Sequence, residues 1–530
     1  MMTKIKNINK IFIAISILFL ILAIHPIFSS GIWTGSDWEV HAYRLSGVNY
    51  QISNHQFPLI FDFWSSNQQG YAWSLFYPPL TTYLMALTYP IYALGISDLV
   101  QIKLIFLLLI LFSFASCFYS TIKLSLSLKA SILCAGIYIC SPYFLTNIYV
   151  RFALGEVAAM CFIPLFFLSL NYLILENKKF YITFITSSAG ILLSNIPSCI
   201  PALLLALSFF LLNYKKINIF IIKKLLIASI FMIMACSFYI FPLIYNFIYG
   251  DIYAFSGMSR NYEYMYNSAP GIYDAAINGF TGTSNKFYLS LGIAQLILTI
   301  CALLKKVKMI RVCSALSLIL FIMSTKLFPW NLINESMPII NIMQFPWRLL
   351  STATILSSIC TAYMLTTNSR EVMITACVVI FITSVSVFSG SSLEKRSSLV
   401  RNSFYPDYLN NTAAAPENYD YVKKVSISNQ PVKLIHFEEG YPVYEVNSKE
   451  STEITLPVIF YHGYKIKIGN IITLPQNNRG LISLAVPAGV SVLQLKYDYE
   501  YIIISYLISA VSILVMYLCH RRYLNLRDEG

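Results

Sequence analysis

Long apolar runs alternate with short basic clusters and polar segments along most of the chain, and near the C-terminus the apolar spacing drops to every second residue. A hydrocarbon core of about 30 Å takes roughly 20 helical residues at about 1.5 Å each, so the long runs fit membrane-crossing helices. They predict spans over residues 11–28, 101–121, 130–148, 157–175, 225–247, 287–304, 310–324, 348–366, 372–389 and 500–519. Residues 180–213 hold two shorter apolar stretches parted at Ser194-Asn195-Ile196-Pro197-Ser198. Each covers only about 21 Å, less than the hydrocarbon thickness, and such interrupted spans either border a protein cavity or thin the membrane locally.

The period-two segments Tyr464 to Ile468, Leu481 to Val486 and Val490 to Tyr497 read as strands, with turns at Asn477-Asn478-Arg479-Gly480 and Pro487-Ala488-Gly489. About six short strands imply a small β-sandwich or jelly-roll. The expected organisation is a transmembrane domain over residues 1–399 with a first outer loop at 29–100, a β-domain at 400–499, and a final helix with a cytoplasmic tail at 500–530.

Composition agrees with a polytopic α-helical membrane protein: of 530 residues, 57% are hydrophobic and only 12% charged. The formal net charge of +13 comes from lysines and arginines placed between apolar runs, not along one face, which favours positive-inside topology over nucleic-acid binding. Lys4, Lys6 and Lys10 put the N-terminus inside, and the first span reads as a retained anchor because no small-residue cleavage site follows. Lysines on both flanks of residues 180–213 require an even number of crossings there. The total is about twelve spans, with both termini cytoplasmic. Residues 79–96 would invert every later cluster if they crossed alone, so with Pro78, Pro79 and Pro90 they read as an interfacial or re-entrant helix. The outer face then carries residues 29–100, 249–286, 325–347 and 390–499. The 11 cysteines lie in or beside apolar segments, as small hydrophobes rather than staples.

Candidate chemistry concentrates in Gly35 to Arg44, GSDWEVHAYR. A helix over residues 37–44 would align Asp37, His41 and Arg44, whereas an extended segment would align Asp37, Glu39 and His41. A solvated loop with Asp37 as a helix cap is the plain structural alternative. No P-loop, dinucleotide fingerprint, HExxH motif or nucleophile elbow is present, which disfavours a nucleotide-driven pump. Asp98, Glu156 and Glu335 map to span ends or loops instead of mid-membrane, which weakens an ion-coupled carrier.

Three further patches accompany this cluster in order: Gly70-Tyr71 leading to Phe76-Tyr77-Pro78-Pro79-Leu80, Tyr149-Val150-Arg151-Phe152-Ala153-Leu154-Gly155-Glu156, and Gln344-Phe345-Pro346-Trp347-Arg348. Together they resemble the bacterial 6-pyruvoyl-tetrahydropterin synthase-related membrane proteins and the YfhO-like proteins, both similar to GT-C glycosyltransferases. The resemblance covers most of the chain. It implies a bacterial cytoplasmic-membrane enzyme moving sugar from a polyprenyl-phosphate donor to an acceptor at the outer face, an acceptor that is a cell-surface glycan, lipid or protein. Nothing supplies the His-rich zinc site of the soluble pterin enzyme. The family's acid in the first outer loop corresponds here to Asp37, with Glu39 two residues on. Where relatives often carry histidine at the proline break, this chain has Asn195, a departure from the proton-transfer residue that the resemblance implies there.

In that chemistry Asp37, or second Glu39, would take the acceptor proton, while Arg348 and Arg151 would meet the departing phosphate. Both arginines fall at outer span ends, against the charge bias; snorkelling is the alternative use. His41 would orient the acid, bind phosphate, or help Asp37 and Glu39 hold a divalent metal. Arg44 joins the substrate-binding candidates, and Glu156, though also among them, fits better as an ion-pair partner of Arg151. Two other classes stand beside the transferase: a lipid or glycan transporter that flips its cargo, and a non-catalytic envelope scaffold acting through the β-domain.

Overall fold

In a computed structural model, the structure describes residues 10–256, 262–281, 287–394, 405–426 and 432–528. Lys4 and Lys6, used above to orient the N-terminus, lie outside them. Six described helices are long and apolar enough to cross a membrane, and the number rises to eight if two bent pairs each count as one span. The six are Lys10–Phe28, Asp98–Lys123, Leu154–Ile174, Pro346–Thr367, Arg370–Phe388 and Glu500–Cys519. Each overlaps a span expected from hydropathy.

The span expected at 130–148 is instead two helices, Leu128–Ile139 and Pro142–Tyr149, bent by 42°. Pro142 is the cause: its ring excludes the preceding residue from helical geometry, and Ser141 accordingly has φ −62° and ψ 143°. Ile219–Ala235 and Ser237–Tyr249 form the second pair, bent by 76°. Shorter apolar helices occupy Phe180–Ser194, Cys199–Leu212, Ile293–Ala302 and Lys308–Met323. At the proline break Asn195 is extended, and its side chain accepts from Ser198 N at 3.1 Å and from Ser198 Oγ at 2.9 Å. Asn195 therefore caps the next turn, work that its short amide does well. All eleven cysteines are free thiols.

The chain divides into two compact units. The first comprises Met1–Trp38, Ile102–Met232 and Arg260–Ser397. Its central helix, Leu350–Thr367, is buried along almost its whole length and packs on Leu128–Ile139, Ile293–Ala302 and Lys308–Met323. Small residues permit this close approach: Ser317 Oγ donates to Ala353 O at 3.0 Å, and the Thr299 and Ser357 hydroxyls meet at 2.9 Å. A two-stranded ribbon of β1 (Ile32–Thr34) and β2 (Ser392–Glu394) pairs Ile32 with Glu394.

Glu39–Gln101, Ile233–Ser259 and Ser398–Gly530 make the second unit. Residues 80–93 form the expected short helix, Leu80–Ala93, with Pro90 inside it. The C-terminal strands number eight rather than about six: β3 (Lys433–Glu438), β4 (Tyr441–Ser448), β5 (Thr452–Ile459), β6 (Tyr464–Ile468), β7 (Ile471–Thr473), β8 (Gln476–Asn478), β9 (Leu481–Val486) and β10 (Gly489–Tyr497). They form one five-stranded sheet, ordered β3-β4-β10-β6-β7, and one three-stranded sheet, β5-β9-β8. Asn477 and Asn478, expected in a turn, extend β8, and the reversal falls on Arg479 and Gly480, both with positive φ. Part of the segment expected to be β is helical, at Pro416–Lys424. Beside the sheets, the helix Glu500–Asp528 packs on Ser237–Tyr249, with Ser237 Oγ 2.9 Å from Ser505 O and 2.8 Å from Ser509 Oγ.

Candidate functional site: one carboxylate shared by two buried arginines

Between the helices Pro142–Tyr149 and Leu154–Met160 the chain reverses over four residues, with Phe152 in the left-handed region at φ +61°. A bulky residue rarely adopts that conformation, at a cost of roughly 1–2 kcal/mol. Ring packing holds it there: Phe152 lies 4.8 Å from Phe106, 5.8 Å from Trp38 and 6.0 Å from Trp33, centroid to centroid. Arg151 N donates to Thr146 O at 2.8 Å and Ala153 N to Asn147 O at 2.7 Å, which fastens the turn to the preceding helix. The reversal brings the Arg151 guanidinium between Asn147 before it and Glu156 after it.

Glu156 is buried and fully engaged. Its Oε2 lies 2.9 Å from Arg151 Nη1 and 3.3 Å from Arg348 Nε, while Oε1 accepts from the Tyr143 hydroxyl and from Asn147 Nδ2. The pairing of Arg151 with Glu156 expected from the sequence is thus present, and a second arginine joins it. Arg348 sits at the start of the central buried helix, where Nη1 donates to Met343 O at 3.1 Å and to Gln344 Oε1 at 2.9 Å. Its Nε makes a charge contact with Glu156 without the alignment of a hydrogen bond. The Arg348 guanidinium also covers the Phe345 ring at 5.3 Å, and that ring stacks on Trp347 at 4.2 Å. Two guanidiniums face one carboxylate among these buried side chains, and the half-buried Asp37 beside them supplies the second negative charge. Burial works against protonation of Arg151, but Glu156, helped by Tyr143 and Asp37, more than reverses this and holds the guanidinium charged.

Asp37 stands beside this cluster, half-buried, and acts electrostatically on both arginines. It does not lie in a helix with His41 and Arg44, because the helix Trp38–Ser53 begins one residue later. Asp37 instead occupies a turn whose backbone rests on the Arg151 reversal: Asp37 N donates to Arg151 O at 2.9 Å, and Ser36 Oγ reaches the same oxygen at 3.1 Å. Gly35 makes that contact possible, since a Cβ there would sit 2.6 Å from both Arg151 C and Val150 O.

Glu39, His41 and Arg44 fall in the second unit. Glu39 is exposed and accepts from the Tyr405 hydroxyl at 3.3 Å. His41 is buried, and burial together with the nearby Arg44 charge holds its imidazole well below the usual histidine range. A neutral imidazole would meet a phosphate through its N–H rather than through charge. Arg44 is enclosed by aromatic faces, its guanidinium carbon 4.1 Å from the Tyr77 ring centroid, 4.9 Å from Trp73 and 6.0 Å from Tyr408. Among the described residues no three His, Cys, Asp or Glu side chains are grouped to hold a metal ion.

Sequence reasoning passed over Tyr143, Asn147 and Gln344 as site residues. The signal for Asn147 was available: a polar residue four positions before Arg151 in an apolar helix. Tyr143, four residues earlier again, extends the same stripe. Gln344 and Arg348 share the same i, i+4 spacing, although the connecting segment is a tight 3₁₀ turn after Gln344 at φ +67°. These features define a mostly helical, membrane-associated protein with a C-terminal β-sheet region and a buried arginine–glutamate cluster. No family model matches the chain, and no curated protein matches it.

Proposed function

We propose that the protein is a membrane glycosyltransferase that moves a sugar from a polyprenyl-phosphate donor to an acceptor at the outer face of the cytoplasmic membrane. One observation carries this reading: two buried arginines share the single carboxylate of Glu156 beside the half-buried acid Asp37. The paired guanidiniums suit a phosphate, and the acid suits a proton leaving an acceptor hydroxyl. In the reaction the acceptor oxygen bonds to the anomeric carbon as its proton passes to the Asp37 carboxylate. The bond from that carbon to the phosphate oxygen breaks, its electron pair stays on the phosphate, and the arginines offset the charge that develops.

Orientation belongs to the same reading. The four shorter apolar helices serve as additional crossings, which brings the total to about twelve. Both termini then lie in the cytoplasm, while Asp37, the arginine cluster and the β-strands lie outside. Both the resemblance to GT-C proteins and the charge bias of the loops support that frame.

The test uses membranes containing the full chain and a radiolabelled polyprenyl-phosphate sugar. Label should pass to a cell-surface acceptor, and Asp37→Asn at normal expression should reduce transfer by about 10²–10⁴-fold, the contribution of a general base. Unchanged transfer would remove Asp37 from the mechanism. Failure of the intact protein to consume any lipid-linked donor, or movement of donor across vesicles without a covalent product, would end the transferase reading.

A further inference from the structure

A second charged site lies in the second unit, where β10 runs into the final helix. A cavity of about 260 Å³ opens there, lined by Lys465, Lys467 and Lys496 with Ile472, Tyr499 and Ile503. Sheet register explains why the lysines converge. Lys465 is paired directly with Lys496 across β6 and β10, and Lys467 is two residues from Lys465, so all three project from one face of the sheet. Ile472 of β7 is paired with Lys467 and joins the same face. The opposite face carries Tyr464, Ile466, Leu495 and Tyr497, all buried.

Like charges directly across an antiparallel pair destabilise it unless something neutralises them. Only Lys465 has an ion-pair partner among the described residues, Asp498 at 2.8 Å. Asp498 and Glu500 are the carboxylates in the lining, against three lysines, which leaves a net charge of +1 (3 − 2). Glu500 occupies the first turn of the final helix, where an acid is favoured by the helix dipole regardless of any ligand. The position of the cavity names the occupant. Ile503, 56% exposed, lies in that helix's first turn, and the exposed residues Leu507, Val511 and Leu514 continue the apolar stripe along the membrane-crossing segment. Ile472 adds a further exposed apolar side chain at the rim.

We propose that this corner is a binding site for an anionic phospholipid. The phosphate sits between Lys467 and Lys496, diagonal neighbours across the ladder, and offsets the charge that Asp498 leaves unbalanced, and an acyl chain follows Ile503, Leu507 and Val511 along the final helix. A juxtamembrane cluster of this kind gains affinity for anionic lipid with every lysine and loses it when they are neutralised. The inference is independent of sugar transfer and of the side on which the β-strands lie.

Native mass spectrometry of the full chain, released from nanodiscs containing phosphatidylglycerol or phosphatidylcholine, tests it. Wild type should retain phosphatidylglycerol, and K467Q/K496Q should weaken that retention by roughly 25- to 30-fold, about fivefold per lysine, with phosphatidylcholine unaffected. K467R/K496R keeps the charge and should retain phosphatidylglycerol as wild type does, which excludes a folding defect at these half-buried positions. Equal retention by the glutamine variant would overturn the site. Displacement of the lipid by excess soluble glycerol phosphate would overturn the lipid assignment, because a headgroup alone lacks the contacts to Ile503 and the helix below it.

Discussion

Neutralising Glu156 should unsettle the first unit far more than removing any exposed acid. Glu156→Gln keeps the shape of the side chain and removes the only carboxylate among the described residues in contact with Arg151 and Arg348. At an effective dielectric of about 20, contacts of 2.9 and 3.3 Å correspond to about 6 and about 5 kcal/mol of Coulomb attraction before desolvation is counted. Most of that is offset by the cost of burying the ions, but the two guanidiniums cannot return to water, with side-chain exposures of only 5% and 9%. Their mutual repulsion then stands uncompensated. The expected loss is about 3–5 kcal/mol of unfolding free energy, the range for breaking one partner out of a buried ion pair. Denaturant unfolding of the purified full chain measures it, with Glu39→Gln as an exposed control expected to change stability by less than about 0.5 kcal/mol. A second change, Arg151→Met in the Glu156→Gln background, should recover part of the loss by removing one orphaned cation. A loss below about 1 kcal/mol for Glu156→Gln, without such recovery, would refute the shared ion pairing on which the proposed phosphate site rests.

Gly35→Ala should cost about 1–3 kcal/mol, because the new methyl meets backbone of Val150 and Arg151 that cannot yield as a side chain would; the same unfolding assay measures it, and the variant should lose the proposed sugar transfer even though Asp37 is intact. His41 should make stability depend on pH. Its folded pKa lies well below the unfolded value of about 6.5, so below that pH the unfolded chain binds the extra proton first. Stability is therefore highest above pH about 6.5 and falls with acidification by up to about 1.4 kcal/mol per unit, and His41→Gln should flatten that slope. Arg348→Lys should depress the proposed sugar transfer more than it depresses stability, since an ammonium preserves charge but cannot serve Met343 O, Gln344 Oε1 and Glu156 with one planar fork; parallel transfer and unfolding measurements separate the two.

Hydropathy made the long helices legible because burial in a membrane needs only length and apolar side chains, and all six long spans overlap stretches chosen on that basis. Period-two spacing revealed β6 and β10, whose alternate residues enter the core, and also β9, which is buried at every position but Ala485, but not β7 or β8, which are three residues each and largely exposed. The bend at Ser141 was written in Pro142 yet was overlooked, since an unbroken apolar run reads as one span whatever its backbone does. In the candidate site, Arg151 with Glu156 was within reach at five residues' separation, whereas the meeting of Arg348 with Glu156 spans 192 positions (348 − 156) and depends on how the central helix packs. Local patterns carry no such information. Asp37 illustrates the same limit: its place was expected from helical phase within its own segment, but its position is fixed by a backbone carbonyl 114 residues further on (151 − 37).

That attachment bears on what Asp37 can do. The acid and the arginine turn are held together through main-chain atoms, by the N–H of Asp37 and the hydroxyl of Ser36 on Arg151 O, with Gly35 admitting the close approach. The carboxylate itself takes no part in this attachment; its one hydrogen bond among those resolved comes from its neighbour Ser36, at 3.2 Å. Asp37→Asn should consequently leave the turn where it is and change only charge and basicity. Its effect on sugar transfer and its effect on folding are then separable, unlike those of Glu156, where one carboxylate serves both. If the acid were instead structural, Asp37→Asn would lower stability along with activity, and the two assays run on the same preparation would move together.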